Sequence, residues 1–211
     1  LSGRIKSMSE LLIQASGHLE KMHTRLSDSG SVDYQLPLDE QLIPLNQYIG
    51  KRVSLEHLGD IHCIHCGRRS KKSFSQGYCY PCFTKLPQCD SCIMSPEKCH
   101  FHHGTCRDPE WGEKFCFTDH FVYLANSSGV KVGITRGNQL PTRWIDQGAT
   151  QAKPIARVAT RYQSGLLEIL LAQHVADKTA WQTMLKGNGA PIDLQERQQA
   201  LAEICAQGIS E

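Results

Sequence analysis

Hydrophobic and polar positions alternate loosely through the first sixty residues, and that alternation predicts strands. His18–Leu26 and Val32–Leu38 show partial period-two patterning on either side of Ser27-Asp28-Ser29-Gly30, a run of turn-forming residues. Arg52–His57 reads as a further strand with Gly59-Asp60 turning the chain after it, whereas Ser9–Ala15 reads as a helical turn. No residue here carries recognisable chemistry. Residues 1–60 are therefore expected to form a small β-rich scaffold or docking unit.

A second patterned region begins at Phe121. Phe121–Ala125 is an apolar strand, Asn126-Ser127-Ser128-Gly129 a hairpin turn and Val130–Thr135 the returning strand. Pro141 suits the first turn of a helix through Arg143 and Trp144, and Ile155–Thr160 reads as a third strand. Ser164 is placed to cap a helix from Gly165 to Ala176, on which Leu167, Leu170, Leu171 and Val175 recur at helical spacing. Trp181–Leu185 and Gln195–Ala206 are expected to be helices too. The order β-β-α-β-α followed by helix defines a domain over 121–211, and the fold class is α+β.

Between these regions cysteine replaces periodicity. Nine of the ten cysteines lie in residues 63–116, six of them in the pairs Cys63/Cys66, Cys79/Cys82 and Cys89/Cys92. One tight turn presents both thiolates of a C-x₂-C pair to a single ion, and two pairs close a tetrahedral site. The spacing C-x₂-C-x₁₂-C-x₂-C over Cys63, Cys66, Cys79 and Cys82 predicts a structural zinc site of zinc-ribbon or treble-clef type. Gly67 tolerates the turn that aims backbone N–H groups at the sulfurs. In small zinc-finger peptides such binding is worth roughly 10–16 kcal/mol, enough to hold a unit of this size together. Cys89, Cys92, Cys99 and Cys106, with Cys116 and His120 just beyond, predict a second metal, either zinc or an iron–sulfur cluster. His100, His102 and His103 are surplus donors, so the ligand set of that site stays open. Residues 61–120 thus form a metal-binding middle region. Successive C-x₂-C pairs argue against a disulfide framework and for a reducing cytoplasm.

Charge adds a partner. The net charge is only +2, yet residues 61–89 carry Arg68, Arg69, Lys71, Lys72 and Lys85 and no acid, and residues 121–178 carry seven basic and three acidic side chains. Local positive fields of this kind predict contact with nucleic acid, DNA or RNA. Arg68, Arg69, Lys71 and Lys72 lie between the first two cysteine pairs, with Phe74, Tyr78 and Tyr80 nearby as stacking surfaces. Arg136, Arg157 and Arg161 are further candidate phosphate contacts. Mean hydropathy is −0.37, no apolar run approaches the ~20 residues of a membrane span, and the chain opens without an apolar leader. A cytoplasmic protein without a membrane partner is expected.

The order of elements from Phe121, with Phe121-Val122-Tyr123, Lys131-Val132-Gly133-Ile134-Thr135, Arg143 and Glu168 in place, resembles the GIY-YIG nuclease domain over residues 121–178. Phe121 and Lys131 stand where that family has glycine and tyrosine, and the loop between the two motifs is short. The resemblance implies a site in which Tyr123 orients the nucleophile, Arg143 binds the scissile phosphate and Glu168 holds Mg²⁺ or Mn²⁺, with Lys131 in the position of the second tyrosine. Phosphodiester hydrolysis needs an activated water and a cation on the developing charge, which these groups supply. The remainder of the chain resembles an uncharacterised cysteine-rich bacterial family. The expected function is that of a zinc-stabilised nucleic-acid-processing protein, a metal-dependent phosphodiesterase. The alternatives are a binding protein without catalysis and an iron–sulfur redox sensor.

Overall fold

The computed structural model describes residues 15–175, 187 and 190–210. The helical turn expected from Ser9 and the helix expected over Trp181–Leu185 fall outside them. The chain divides between Glu56 and His57 into two compact units.

The first unit is an antiparallel meander of β1 (His23–Leu26), β2 (Val32–Leu38) and β3 (Gln41–Pro44), in that spatial order. The β1–β2 turn is held by serines: Ser27 Oγ donates to the Ser31 carbonyl at 2.9 Å, and Gly30 takes a positive φ of 81°. β3 pairs only with Gln35–Leu38 of β2. Beyond its end Asn46 takes over, accepting from the Tyr34 N–H and donating to the Val32 carbonyl, both at 2.7 Å. A side-chain amide thus satisfies backbone groups that a longer strand would have paired. Arg52–His57 forms no strand. It has no partner to pair with among the described residues, and Val53 and Leu55 stay exposed.

The second unit begins with short elements packed around cysteines: α1 (Tyr80–Lys85), α2 (Ser91–Met94) and α3 (Pro109–Cys116), linked by 3-10 turns at Pro87–Cys89, Pro96–Lys98 and Phe101–His103. Asp108 caps α3, its carboxylate accepting from the Trp111 N–H at 2.9 Å. The chain then enters β4 (His120–Asn126), turns, and returns as β5 (Val130–Arg136). A 3-10 turn leads to α4 (Thr142–Asp146), and β6 (Gln151–Val158) completes an antiparallel sheet of order β5-β4-β6. α5 (Arg161–Ala172) and α6 (Leu194–Ser210) follow. The architecture is α+β.

β4 is the centre of this unit. It pairs on both edges, and all of its residues but Phe121 are buried. Val122 and Leu124 join Val132, Val158, Leu167, Leu171, Leu194, Leu201 and Cys205 in one apolar core between the sheet, α5 and α6. Lone Cys205 is therefore a small apolar core residue. α5 starts four residues before the expected Gly165. Thr160, not Ser164, caps it: the Thr160 hydroxyl accepts from the Gln163 N–H while the Gln163 carboxamide accepts from the Thr160 N–H. Ser164 is buried and its hydroxyl donates to the Arg161 carbonyl at 2.7 Å. Among the described residues no helix is long and apolar enough to cross a membrane.

Close approach joins α5 to the cysteine-rich segment. A Cβ added at Gly165 would stand 2.6 Å from Pro96 Cβ and 2.9 Å from the Glu97 backbone nitrogen. Gly165→Ala is expected to cost about 1–3 kcal/mol and to lower the melting temperature, because backbone must move. Gly129→Ala, whose added Cβ meets nothing within 4 Å, is the control and should stay within about 0.5 kcal/mol. Thermal melts of the two variants check this.

Candidate functional site

Cys63, Cys66, Cys79 and Cys82 come together through a knuckle, a hairpin and a helix start, the treble-clef arrangement. The knuckle is closed by the Gly67 N–H on the Cys63 carbonyl at 2.8 Å, with Gly67 at φ 69°. A bridge pairs Phe74 with Tyr78, and Cys79 then precedes α1 with Cys82 in its first turn. The Ile64 N–H donates to the Gly77 carbonyl at 3.0 Å, which docks the knuckle on the hairpin. All four sulfurs lie within 4.8 Å of one another, and Cys66 and Cys79 are 3.8 Å apart. Zinc–sulfur bonds of about 2.3 Å in a tetrahedron give sulfur–sulfur edges of about 3.8 Å. The donor set fits one zinc ion, and four thiolates leave no open position for a substrate.

The thiols are not equivalent. Burial acts to raise Cys63, but N–H groups of Cys79, Cys66 and His65 outweigh it and bring the thiol down to about 6. Burial and the hydrogen bonds it shares with Cys79, Cys66 and Cys63 push Cys82 up to about 12. Metal binding to these sulfurs must displace protons from thiols of unequal acidity.

The second cysteine region holds Cys89, Cys92, Cys99, Cys106 and Cys116 as free thiols. Burial raises the Cys89 thiol, and the charges it feels are Arg107 and Cys63. Cys92 instead stands in the field of Asp90, Cys99, Cys116 and Cys106. Asp90, Cys92 and His100 hold donor atoms within 4.8 Å. Asp90 already accepts from the Ser91 N–H at 2.6 Å and pairs with Arg107 at 3.1 Å and His100 at 3.4 Å, so its carboxylate serves as a structural hub. His120 is 0 % exposed. Its Nδ1 donates to the Thr118 carbonyl at 2.7 Å, and Nε2 has no partner among the described residues. Burial, opposed by that hydrogen bond, lowers its pKa.

A polar cluster sits on the other side of β4. Tyr123 lies across from Gly133 in the β4–β5 register, and a Cβ at Gly133 would come within 2.7 Å of the phenol oxygen. Only glycine leaves the ring room. Lys131, paired with Ala125 and two residues from Gly133, shares that sheet face. Gln147 joins Tyr123 to Arg143. With its oxygen facing Arg143, the amide accepts from Nη2 and Nε at 3.2 and 3.1 Å and its nitrogen donates to the phenol at 3.0 Å. Trp144 meets the Tyr123 ring edge-on at 6.0 Å. Burial raises the Tyr123 pKa against the lowering effect of Arg143, and the Glu168 carboxylate raises it further. The phenol keeps its proton at neutral pH. Gln147 stands four residues after Arg143, a spacing that puts both on one helix face.

The basic candidates are scattered. Arg68, Lys71 and Lys72 are exposed on the loop between knuckle and hairpin, and exposed Arg69 pairs with Asp60 at 2.7 Å. Arg136 lies 5.2 Å over the Phe115 ring. Arg157 pairs with Asp119. Arg161 points inward, its Nη2 donating to the Ile93 carbonyl at 2.6 Å. It is an internal strut, not a phosphate contact.

Fold and site define a cysteine-rich α+β protein that carries a tetrathiolate metal site. The chain belongs to the family described as protein of unknown function (DUF2797), whose model matches residues 50–211. That match takes in the whole second unit and leaves the β1–β3 sheet outside. No curated protein and no solved structure matches the chain.

The thiolate site yields a direct test. Protons compete with metal for sulfur, so apparent zinc affinity should fall as pH drops, steepening below about 6 where Cys63 becomes a thiol. Zinc-competition titrations from pH 8 to pH 5 measure it, and Cys63→Ser should lower affinity at least about tenfold.

Proposed function

We propose that the second unit is a nucleic-acid-processing module that hydrolyses phosphodiesters, with the tetrathiolate site as its frame. The observation that carries the reading is the hydrogen-bonded chain from Tyr123 through Gln147 to Arg143, with the Glu168 carboxylate acting on the same phenol. Tyr123, Arg143 and Glu168 are the set that the resemblance to GIY-YIG nucleases singles out.

The burial pattern supports a division of roles. Arg143 is exposed and Tyr123 is 0 % exposed. A phosphate therefore meets the guanidinium, and the phenol acts through Gln147 to hold that guanidinium in one orientation. Tyr123 is thus a positioning residue here. Lys131 adds positive charge on the same sheet face. Glu168 is a half-buried single carboxylate, the kind of donor Mg²⁺ takes while keeping most of its waters. Bound there, Mg²⁺ or Mn²⁺ supplies Lewis-acid stabilisation of the developing phosphate charge. The exposed Arg68, Lys71 and Lys72 provide sequence-independent attraction for the substrate.

Labelled single- and double-stranded DNA and RNA, incubated with the purified chain and Mg²⁺ or Mn²⁺, test the reading. Arg143→Ala and Glu168→Gln are expected to lower cleavage about 10²–10³-fold. Wild type that cuts no faster than these variants removes the enzyme reading. Binding without cutting is the second reading, favoured by the full burial of Tyr123. It predicts affinity that survives Glu168→Gln, with a salt slope that flattens by about 2–3 when Arg68, Lys71 and Lys72 are neutralised together.

A further inference from the structure

We propose that Asp90, Cys92 and His100 form a second metal site, distinct from the tetrathiolate, that takes one zinc ion with an open fourth position. Their donor atoms, one carboxylate oxygen, one sulfur and one ring nitrogen, lie within 4.8 Å of one another. Asp90 caps α2, Cys92 sits in its first turn, and His100 stands just before the Phe101–His103 turn. His100 Nε2 faces Asp90 Oδ2 at 3.4 Å. Zinc bonds of about 2.0 Å to nitrogen and to oxygen, set in a tetrahedron, put two such atoms about 3.3 Å apart.

The other ring nitrogen fixes what faces the carboxylate. Thr105 Oγ1 is 2.8 Å from His100 Nδ1, and its one proton goes to the His100 carbonyl at 3.3 Å. The Thr105 oxygen therefore accepts, and Nδ1 is the nitrogen that donates to it. In that tautomer Nε2 carries a lone pair and turns it toward the carboxylate oxygen. Two acceptors that face each other beside a buried aspartate call for a cation between them. Zinc-ligating histidines share this arrangement, with one ring N–H held by an oxygen and the other nitrogen left to the ion.

The carboxylate is held as firmly as the ring. Asp90 is 8 % exposed. Its Oδ1 accepts from the Ser91 N–H at 2.6 Å and its Oδ2 from Arg107 Nε at 3.1 Å. Arg107 is itself anchored, Nη1 donating to the Phe83 and Leu86 carbonyls at 2.9 and 3.1 Å. These contacts fix the orientation of the carboxylate before an ion arrives. Thiolate, imidazole and carboxylate are each ordinary zinc ligands. Three protein donors leave one tetrahedral position for water, and the His100 side chain is 27 % exposed, so solvent reaches the site. The tetrathiolate has no such position.

The purified full chain, incubated with zinc and freed of excess, should hold about two zinc ions. His100→Ala, Asp90→Asn and Cys92→Ser should each hold about one, kept by Cys63, Cys66, Cys79 and Cys82, which shows that the variants fold. Thr105→Val should keep two but bind the second about 10–100-fold more weakly in a chelator competition. Arg107→Gln separates a metal ligand from a salt bridge, because it breaks the ion pair with Asp90 and is expected to keep the second zinc. Wild type that holds only one zinc overturns the proposal, whatever the variants do; a proton then fills the gap between His100 and Asp90. A second zinc lost in Cys99→Ser and Cys116→Ser but kept in Asp90→Asn and His100→Ala overturns the ligand set. Zinc content is read without nucleic acid, so the result stands apart from the cleavage assay.

Discussion

The second unit depends on one buried strand. β4 is hydrogen-bonded along both edges and covered on both faces, so each of its side chains needs an internal solution. Val122 and Leu124 meet α5 and α6 in the apolar core. Asn126 donates to Gln151 and to the Ala190 carbonyl, tying the end of the strand to the approach to α6. His120 uses the Thr118 carbonyl. Tyr123 alone carries its hydroxyl to the opposite face, where Gln147 and Arg143 receive it. A packing requirement of the strand and the polar cluster of the site are one arrangement.

The cysteine-rich segment poses the opposite problem. Between His57 and Cys116 the helices run four to eight residues, too short to be stable by hydrogen bonding alone. The segment's buried residues include Cys63, Cys79, Cys89, Asp90 and Pro96 but no large aliphatic side chain. Four thiols gathered so that they could hold a metal stand where the segment has too little apolar surface to build a core. The contacts of Gly165 with Pro96 and Glu97, and of Arg161 with Ile93, join that frame to α5.

Legibility in the sequence followed the range of the interactions. The β4 hairpin was readable because alternation and a turn are local signals, and β2 likewise came out as Val32–Leu38. The tetrathiolate was readable because two C-x₂-C pairs, one on a knuckle and one at a helix start, need little beyond their own backbone to aim sulfur. The start of α5 was misplaced to Ser164 because Thr160 and Gln163 cap reciprocally, a pairing hidden by the more obvious serine. Arg52–His57 failed as a strand because alternation says nothing about the presence of a partner edge.

By itself, then, the sequence determined the α+β class, the first metal site and the hairpin that carries Tyr123, all consequences of residue spacing over a turn or two. Tertiary structure decided the rest. It turned Arg161 inward and recruited Gln147 between Tyr123 and Arg143. The reason is physical: spacing fixes direction within one element, whereas partners from different elements are chosen only when the sheet, the helices and the thiols pack against one another.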